Sequence, residues 1–163
     1  MIVAALAATL LTGCSSASLV GFGTNGANKV EIAEISNIGT YPADRALVEA
    51  RSHFRNNDFG YSAAYYKRVV EVSPKTAEGY VGLSASYDRL GRFDLADRVY
   101  ATLYELSGAT AQYYNNVGYS YMLRGNLAGA LTNFRKALKL DPGNLVVANN
   151  LQILANVTAE ARA

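Results

Sequence analysis

Between Tyr114 and Pro142, small and large side chains stand at fixed intervals: Tyr114, Val117, Gly118, Tyr121, Ala130, Phe134, Ala137 and Pro142. The same order of sizes occurs one period earlier, in Tyr80, Leu83, Ser84, Tyr87, Ala96, Tyr100, Leu103 and Gly108. One further period back, the slots hold Ala46, Glu49, Ala50, His53, Ser62, Tyr66, Val69 and Pro74. There Glu49 stands in place of a large apolar residue, and Asn57 in place of the turn glycines Gly91 and Gly125. A period of this length constrains the fold more than any other feature, because each unit must bury its apolar face against the next. The first unit departs most from the pattern, as suits a terminal unit with one uncovered face.

Within each period the spacing is helical. Tyr80, Leu83 and Tyr87 recur at i, i+3 and i+7, as do Tyr114, Val117 and Tyr121, so each set lies along one helix face. Gly118 and Ala130 are small where two helices can cross closely, and Tyr121 and Phe134 are large where the gap widens. Gly91 and Gly125 suit the left-handed stop of a first helix, and Pro142 suits the first turn of a following one. This spacing predicts helices at 43–56, 59–72, 77–90, 93–107, 111–124, 127–140 and 143–159. The last, apolar at helical spacing from Leu145 to about Ala159, has no partner helix and reads as a cap on the third pair.

The eight slots of 114–142 resemble the tetratricopeptide-repeat (TPR) pattern W-x-x-L-G-x-x-Y…A-x-x-x-F-x-x-A…P. The resemblance implies an all-α fold: a short right-handed α-solenoid of three helical hairpins plus a C-terminal capping helix. The repeats fall at about 43–76, 77–110 and 111–144, with the cap at 143–159, in a domain spanning 43–163. Such folds act as binding scaffolds, and the first helix of each pair lines a concave groove.

By that register the groove would carry Arg51, Phe54 and Arg55 from the first repeat, Arg89 from the second, and Asn115, Asn116, Tyr119 and Met122 from the third. Asn149 and Asn150 of the cap repeat the asparagine pair one period on. Asparagine offers both a donor and an acceptor, so a row of them can hold the backbone of an extended peptide. Asparagines here can equally serve local backbone. Arg51, Arg55 and Arg89 give a basic lean, partly offset by Asp44, Glu78 and Asp88, open to an acidic peptide or simply a solvated face. Tyr119, Met122 and Leu123 form an apolar patch suited to a partner side chain. The carboxylate clamp of chaperone-binding repeats is missing its cations, since Leu47, Gln112 and Asn116 occupy those positions.

The front of the chain is a different kind of sequence. No charged side chain precedes Lys29, and the apolar run Ile2 to Leu11 leads into Leu11-Thr12-Gly13-Cys14-Ser15. A run of this length fits a signal h-region and is too short to span a bilayer. The segment resembles a bacterial lipobox, which implies a signal peptide at 1–13, cleavage before Cys14 and lipid on that residue. Cys14 is the chain's only cysteine, so no internal disulfide can form. Two or more acyl chains anchor stably where one does not. Ser15 after the lipidated position implies sorting to the outer membrane, facing the periplasm. Residues 15–28, rich in Gly, Ser, Ala and Asn, would make a flexible tether of roughly 20 Å. Residues 29–42, with Val30, Ile32, Ile35 and Ile38, form an N-terminal extension expected to cover the exposed edge of the first repeat, with a partner-docking segment as the alternative.

Composition narrows the function classes. Half of the residues are apolar and 17% charged, which favours a folded domain over a disordered one. A formal charge of +2 with no basic tract argues against nucleic acid. The lone histidine, His53, occupies a packing slot, so neither a Cys/His nor a Ser/His pair nor a metal cluster is expected. Gly21-Phe22-Gly23 is no phosphate loop. The expectation is a non-enzyme without cofactor, catalytic residues or metal, attached to the membrane only by its lipid. Its partner would be a protein or extended peptide in the groove, such as a secretin or pilus subunit. Lipobox and tandem repeats together resemble the TadD family of tight-adherence (Flp) pilus lipoproteins, which implies a role in envelope assembly. The alternative is a periplasmic adaptor regulating cell-wall enzymes or proteases.

Overall fold

The repeating period becomes, in a computed structural model that describes residues 31–160, a series of antiparallel helix pairs. Helices α1 (Ala43–Arg55) and α2 (Phe59–Val72) form the first pair, α3 (Ala77–Arg89) and α4 (Phe93–Ser107) the second, and α5 (Ala111–Leu123) and α6 (Leu127–Leu140) the third. A single helix, α7 (Leu145–Glu160), follows and packs mainly on α6. The described residues contain no strand. The cap starts at Leu145, later than the spacing predicts, because the Asn144 side chain accepts hydrogen bonds from the Val146 and Val147 amides, each at 3.1 Å.

The turn inside each pair has one solution repeated three times. Asn57, Gly91 and Gly125 hold φ of 63°, 68° and 78° at equivalent positions, so the backbone leaves the first helix in the left-handed region. Asparagine tolerates that region better than other side chains, which explains why it can stand for glycine in the first repeat. The glycine needed for close packing is Gly118. A methyl group there would come within 2.7 Å of the Phe134 ring, so only hydrogen lets α5 and α6 close on each other.

The apolar interior forms two clusters. One runs through the first two pairs, from Ala46 and Ala50 to Tyr100 and Leu103. The other joins the third pair to the cap through Met122, Ala130, Phe134, Ala137, Val147 and Leu154. The segment before α1 lies against the first pair. Ile32, Ile35, Ile38 and Tyr41 pack on the first cluster, the Ala33 amide donates to the Gly60 carbonyl at 3.2 Å, and Arg68 donates to the Tyr41 and Gly39 carbonyls. The stretch is irregular apart from a 3₁₀ turn at Ile38–Thr40, and it covers the exposed edge of the first repeat. His53 stacks on Tyr61 and Tyr65 with ring centres 5.1 and 5.5 Å away, filling its aromatic slot. No helix of the described residues is long and apolar enough to cross a membrane.

Phe134 is fully buried at the seam of α5, α6 and α7. Phe134→Ala is therefore expected to cost about 3–5 kcal/mol of stability in a denaturant titration followed by helical circular dichroism. A loss under about 1 kcal/mol would mean that the crossing is not the tight one described.

Candidate partner-binding groove

Two cavities open on the face lined by α1, α3 and α5. The larger, about 420 Å³, is bounded by Tyr66, Glu78, Val81, Gly82, Gln112 and Tyr113, among others. The second, about 290 Å³, is walled by Phe54, Val81, Ala85 and Tyr119, with Asp88, Arg89, Tyr100, Asn115, Asn116 and Asn150 supplying polar groups. Val81 lines both, so they are consecutive along one groove. Gly82 shapes the larger one: the Tyr66 ring lies directly over its backbone, in space that any Cβ would fill.

Six of the ten groove residues expected from the sequence meet at the second cavity: Phe54, Arg89, Asn115, Asn116, Tyr119 and Asn150. Arg51 and Arg55 stand beside the first. Arg51 is bound to Glu78, with Nε donating to Oε1 at 2.8 Å and a second nitrogen closer still. Arg55 is exposed, near enough to the Tyr66 hydroxyl for its charge to be felt there, and has no carboxylate within bonding reach among the described residues. Asn149 is exposed and outside both cavities. Cys14 lies outside the described residues.

Met122 corrects the sequence reading. It is 1% exposed and packs among Phe134, Val147 and Leu154, not in the groove. The reason is its register: Asp88, one period earlier, is also buried, at 4% exposure, and meets Ser120 of the next first helix. This position faces the seam between successive repeats, so a large apolar side chain there becomes core.

The asparagines do not form a row of independent groups. Asn150, 8% exposed, donates through Nδ2 to Asn115 Oδ1 at 2.8 Å, and Asn115 Nδ2 approaches Asn116 Oδ1 at 3.4 Å. These three side chains bond one another, and among the described residues none of them bonds local backbone. Asn115 is spent on its neighbours, while Asn150 Oδ1 and Asn116 Nδ2 remain without a protein partner among the described residues.

Sequence reasoning missed the polar floor of the second cavity. Asp88 Oδ2 accepts from the Tyr100 hydroxyl at 2.8 Å, and Oδ1 accepts from the Ser120 hydroxyl at 2.5 Å. Arg124 lies 3.8 Å from Oδ1 and makes a two-pronged pair with Asp97 at 2.8 and 3.0 Å. Burial pushes the Asp88 carboxyl up to about 6, against the pull of Ser120, Tyr100 and Arg124. Tyr100 is raised as well, first by burial and then by the Asp88 charge. The signal was present: a tyrosine replaced phenylalanine in a buried slot, and its hydroxyl needed an acceptor. No group of three or more His, Cys, Asp or Glu residues converges among the described residues.

Two tetratricopeptide-repeat family models match the chain, one over residues 47–96 and one over 111–144. The chain is a tetratricopeptide-repeat protein. Solved TPR structures share the fold at low identity. The first TPR domain of human RPAP3 aligns with a TM-score of 0.62 and 18% identity, over 72% of this chain and 93% of its own. YrrB, described as a TPR protein with an unusual peptide-binding site, gives 0.62 and 19%, over 70% of this chain and 59% of its own. PcrH in complex with the chaperone-binding region of PopD gives 0.59 and 16%, over 72% and 92%. No curated protein matches significantly.

The buried carboxylate of this TPR domain makes stability depend on pH. The folded state holds the Asp88 proton up to about pH 6, whereas the unfolded chain releases it near 3.8. Between those values the folded state carries the extra proton, so stability should fall as pH rises through the window and then level off. The full span amounts to about 3 kcal/mol. Denaturant titrations of wild type and Asp88→Asn between pH 4 and 7 check this: the difference between the two curves should follow the predicted fall. A difference that stays flat would show that Asp88 ionises as an exposed carboxylate does.

Proposed function

We propose that this protein is a lipid-anchored scaffold that holds an extended segment of an envelope protein while a larger complex, a pilus or secretin system of the tight-adherence kind, is assembled. One observation carries the reading: the 290 Å³ cavity that the aromatic residues Phe54 and Tyr119 line together with unspent asparagine groups and a free arginine. Aromatic walls and free backbone-binding groups are what one side chain and one peptide unit of a bound segment require. The complex of PcrH with the chaperone-binding region of PopD and the peptide-binding site of YrrB are in keeping with such a use of the fold.

The anchor is argued from the lipobox at Leu11 to Ser15, with Cys14 as the lipidated residue, Ser15 directing it to the outer membrane and the TPR domain facing the periplasm. The groove would then work within a tether's length of the membrane, where an assembling subunit emerges. A scaffold of this kind needs no chemistry of its own. The partner has only to be held until its permanent neighbour displaces it.

Two measurements test the two halves separately. Cys14→Ser should move the protein from the membrane to the soluble fraction; unchanged fractionation rules out the anchor. Tyr119→Ala with Phe54→Ala should weaken capture of a crosslinked envelope partner about tenfold or more, with the helical signal retained. Undiminished capture would place the binding surface elsewhere.

A further inference from the structure

The groove's charges sort into spent and free. Arg51 is tied to Glu78, and Asp88 is turned inward onto Tyr100 and Ser120. Arg124 is held by Asp97. Arg55 and Arg89 remain, both exposed and neither with a carboxylate within 4.0 Å among the described residues. Arg89 lies over the Phe59 ring at 4.2 Å and lines the 290 Å³ cavity. The two arginines are one period apart, so they occupy one register on neighbouring first helices, and the third repeat has Leu123 there.

We propose that the groove selects an extended partner segment bearing two acidic side chains at positions i and i+3, with an apolar residue beside the acid that meets Arg89. This rests on the groove being the binding site. Packed helices lie about 8–10 Å apart, and α1 and α3 are in contact, so the backbone positions of Arg55 and Arg89 are taken to stand at about that spacing. An extended chain with three residues per turn and about 3.1 Å rise puts positions i and i+3 on one face about 9 Å apart. Its acids therefore meet successive arginines. A segment lying this way continues from Arg89 over the cavity, where Phe54, Val81 and Tyr119 receive the apolar side chain. The free Asn116 amide and Asn150 carbonyl can then take a peptide C=O and N–H. On α3, Glu78 and Asp88 are already spent on Arg51, Tyr100 and Ser120, so a basic segment finds no free carboxylate beside Arg89.

A random decapeptide display library, panned on the immobilised full chain, reads this directly. Retained peptides should be enriched in Asp or Glu at i and i+3 next to a large apolar residue. Their binding should drop at least about tenfold in Arg89→Glu and in Arg55→Glu, survive in Arg89→Lys, and weaken in high salt. Peptides that lack the acidic spacing, bind Arg89→Glu as well as wild type and are lost in Tyr119→Ala would overturn this inference while leaving the groove as the site. If no peptide is retained, or retention is indifferent to Tyr119→Ala, the groove reading fails and the inference with it. Circular dichroism of each variant establishes that the helices are intact; the substituted arginines are exposed, so their loss of binding is not loss of fold.

Discussion

Everything in this molecule depends on how closely the two helices of a pair can approach. In the third repeat the answer is set by Gly118 against the Phe134 ring, a fit in which one methyl group is too much. In the second, Ser84 and Tyr100 hold the same slots, and in the first Ala50 and Tyr66 do. A small residue facing a large ring sets distance and register together, because little side chain stands between the ring and the backbone. Three such crossings at the same offset make the pairs superimposable, and superimposable pairs stack with their first helices on one side. The groove is a consequence of that stacking, not an added feature.

Where the large residue is tyrosine, the crossing gains a second role. The Tyr100 hydroxyl cannot be buried alone, and Asp88 of the preceding helix accepts it. Asp88 also accepts from Ser120 of the next repeat and sits near Arg124, so one carboxylate joins the second repeat to the third. Burial makes that carboxylate expensive, which is why its proton leaves late. The same network floors the smaller cavity, which puts a rigid polar base beneath the position where a ligand would rest. A seam between repeats and the base of a pocket are here one set of atoms.

The sequence made some of this legible and hid the rest for identifiable reasons. Helix existence, pairing and turns followed from periodicity, since steric slots repeat wherever the backbone does. Phe54, Tyr119 and the asparagine pair were placed in the groove because register alone decides which way a helical residue points. Met122 was misplaced by the same logic. Its register faces the seam, and whether a seam position is open or closed depends on the next helix, here α7, which no local pattern describes. The fate of each charge was equally hidden. Arg51 and Arg55 look alike in sequence one turn apart, yet one is bonded to Glu78 across the pair seam and the other is not. Pairing between helices is a property of the stack.

That difference between spent and free groups is what turns a generic concave surface into one with a preference. A groove whose charges all neutralise each other can bind many segments weakly, because any partner must first break internal pairs. Here the internal pairs consume Glu78 and Asp88 and leave two arginines and two halves of asparagine amides unmatched among the described residues. Desolvating an unmatched arginine is unfavourable unless the partner supplies a carboxylate, so the groove discriminates by what it lacks. The same subtraction explains why composition could exclude partners but not name one. A formal charge of +2 over the whole chain says little, whereas the few groups left unpaired on one face define what that face can accept.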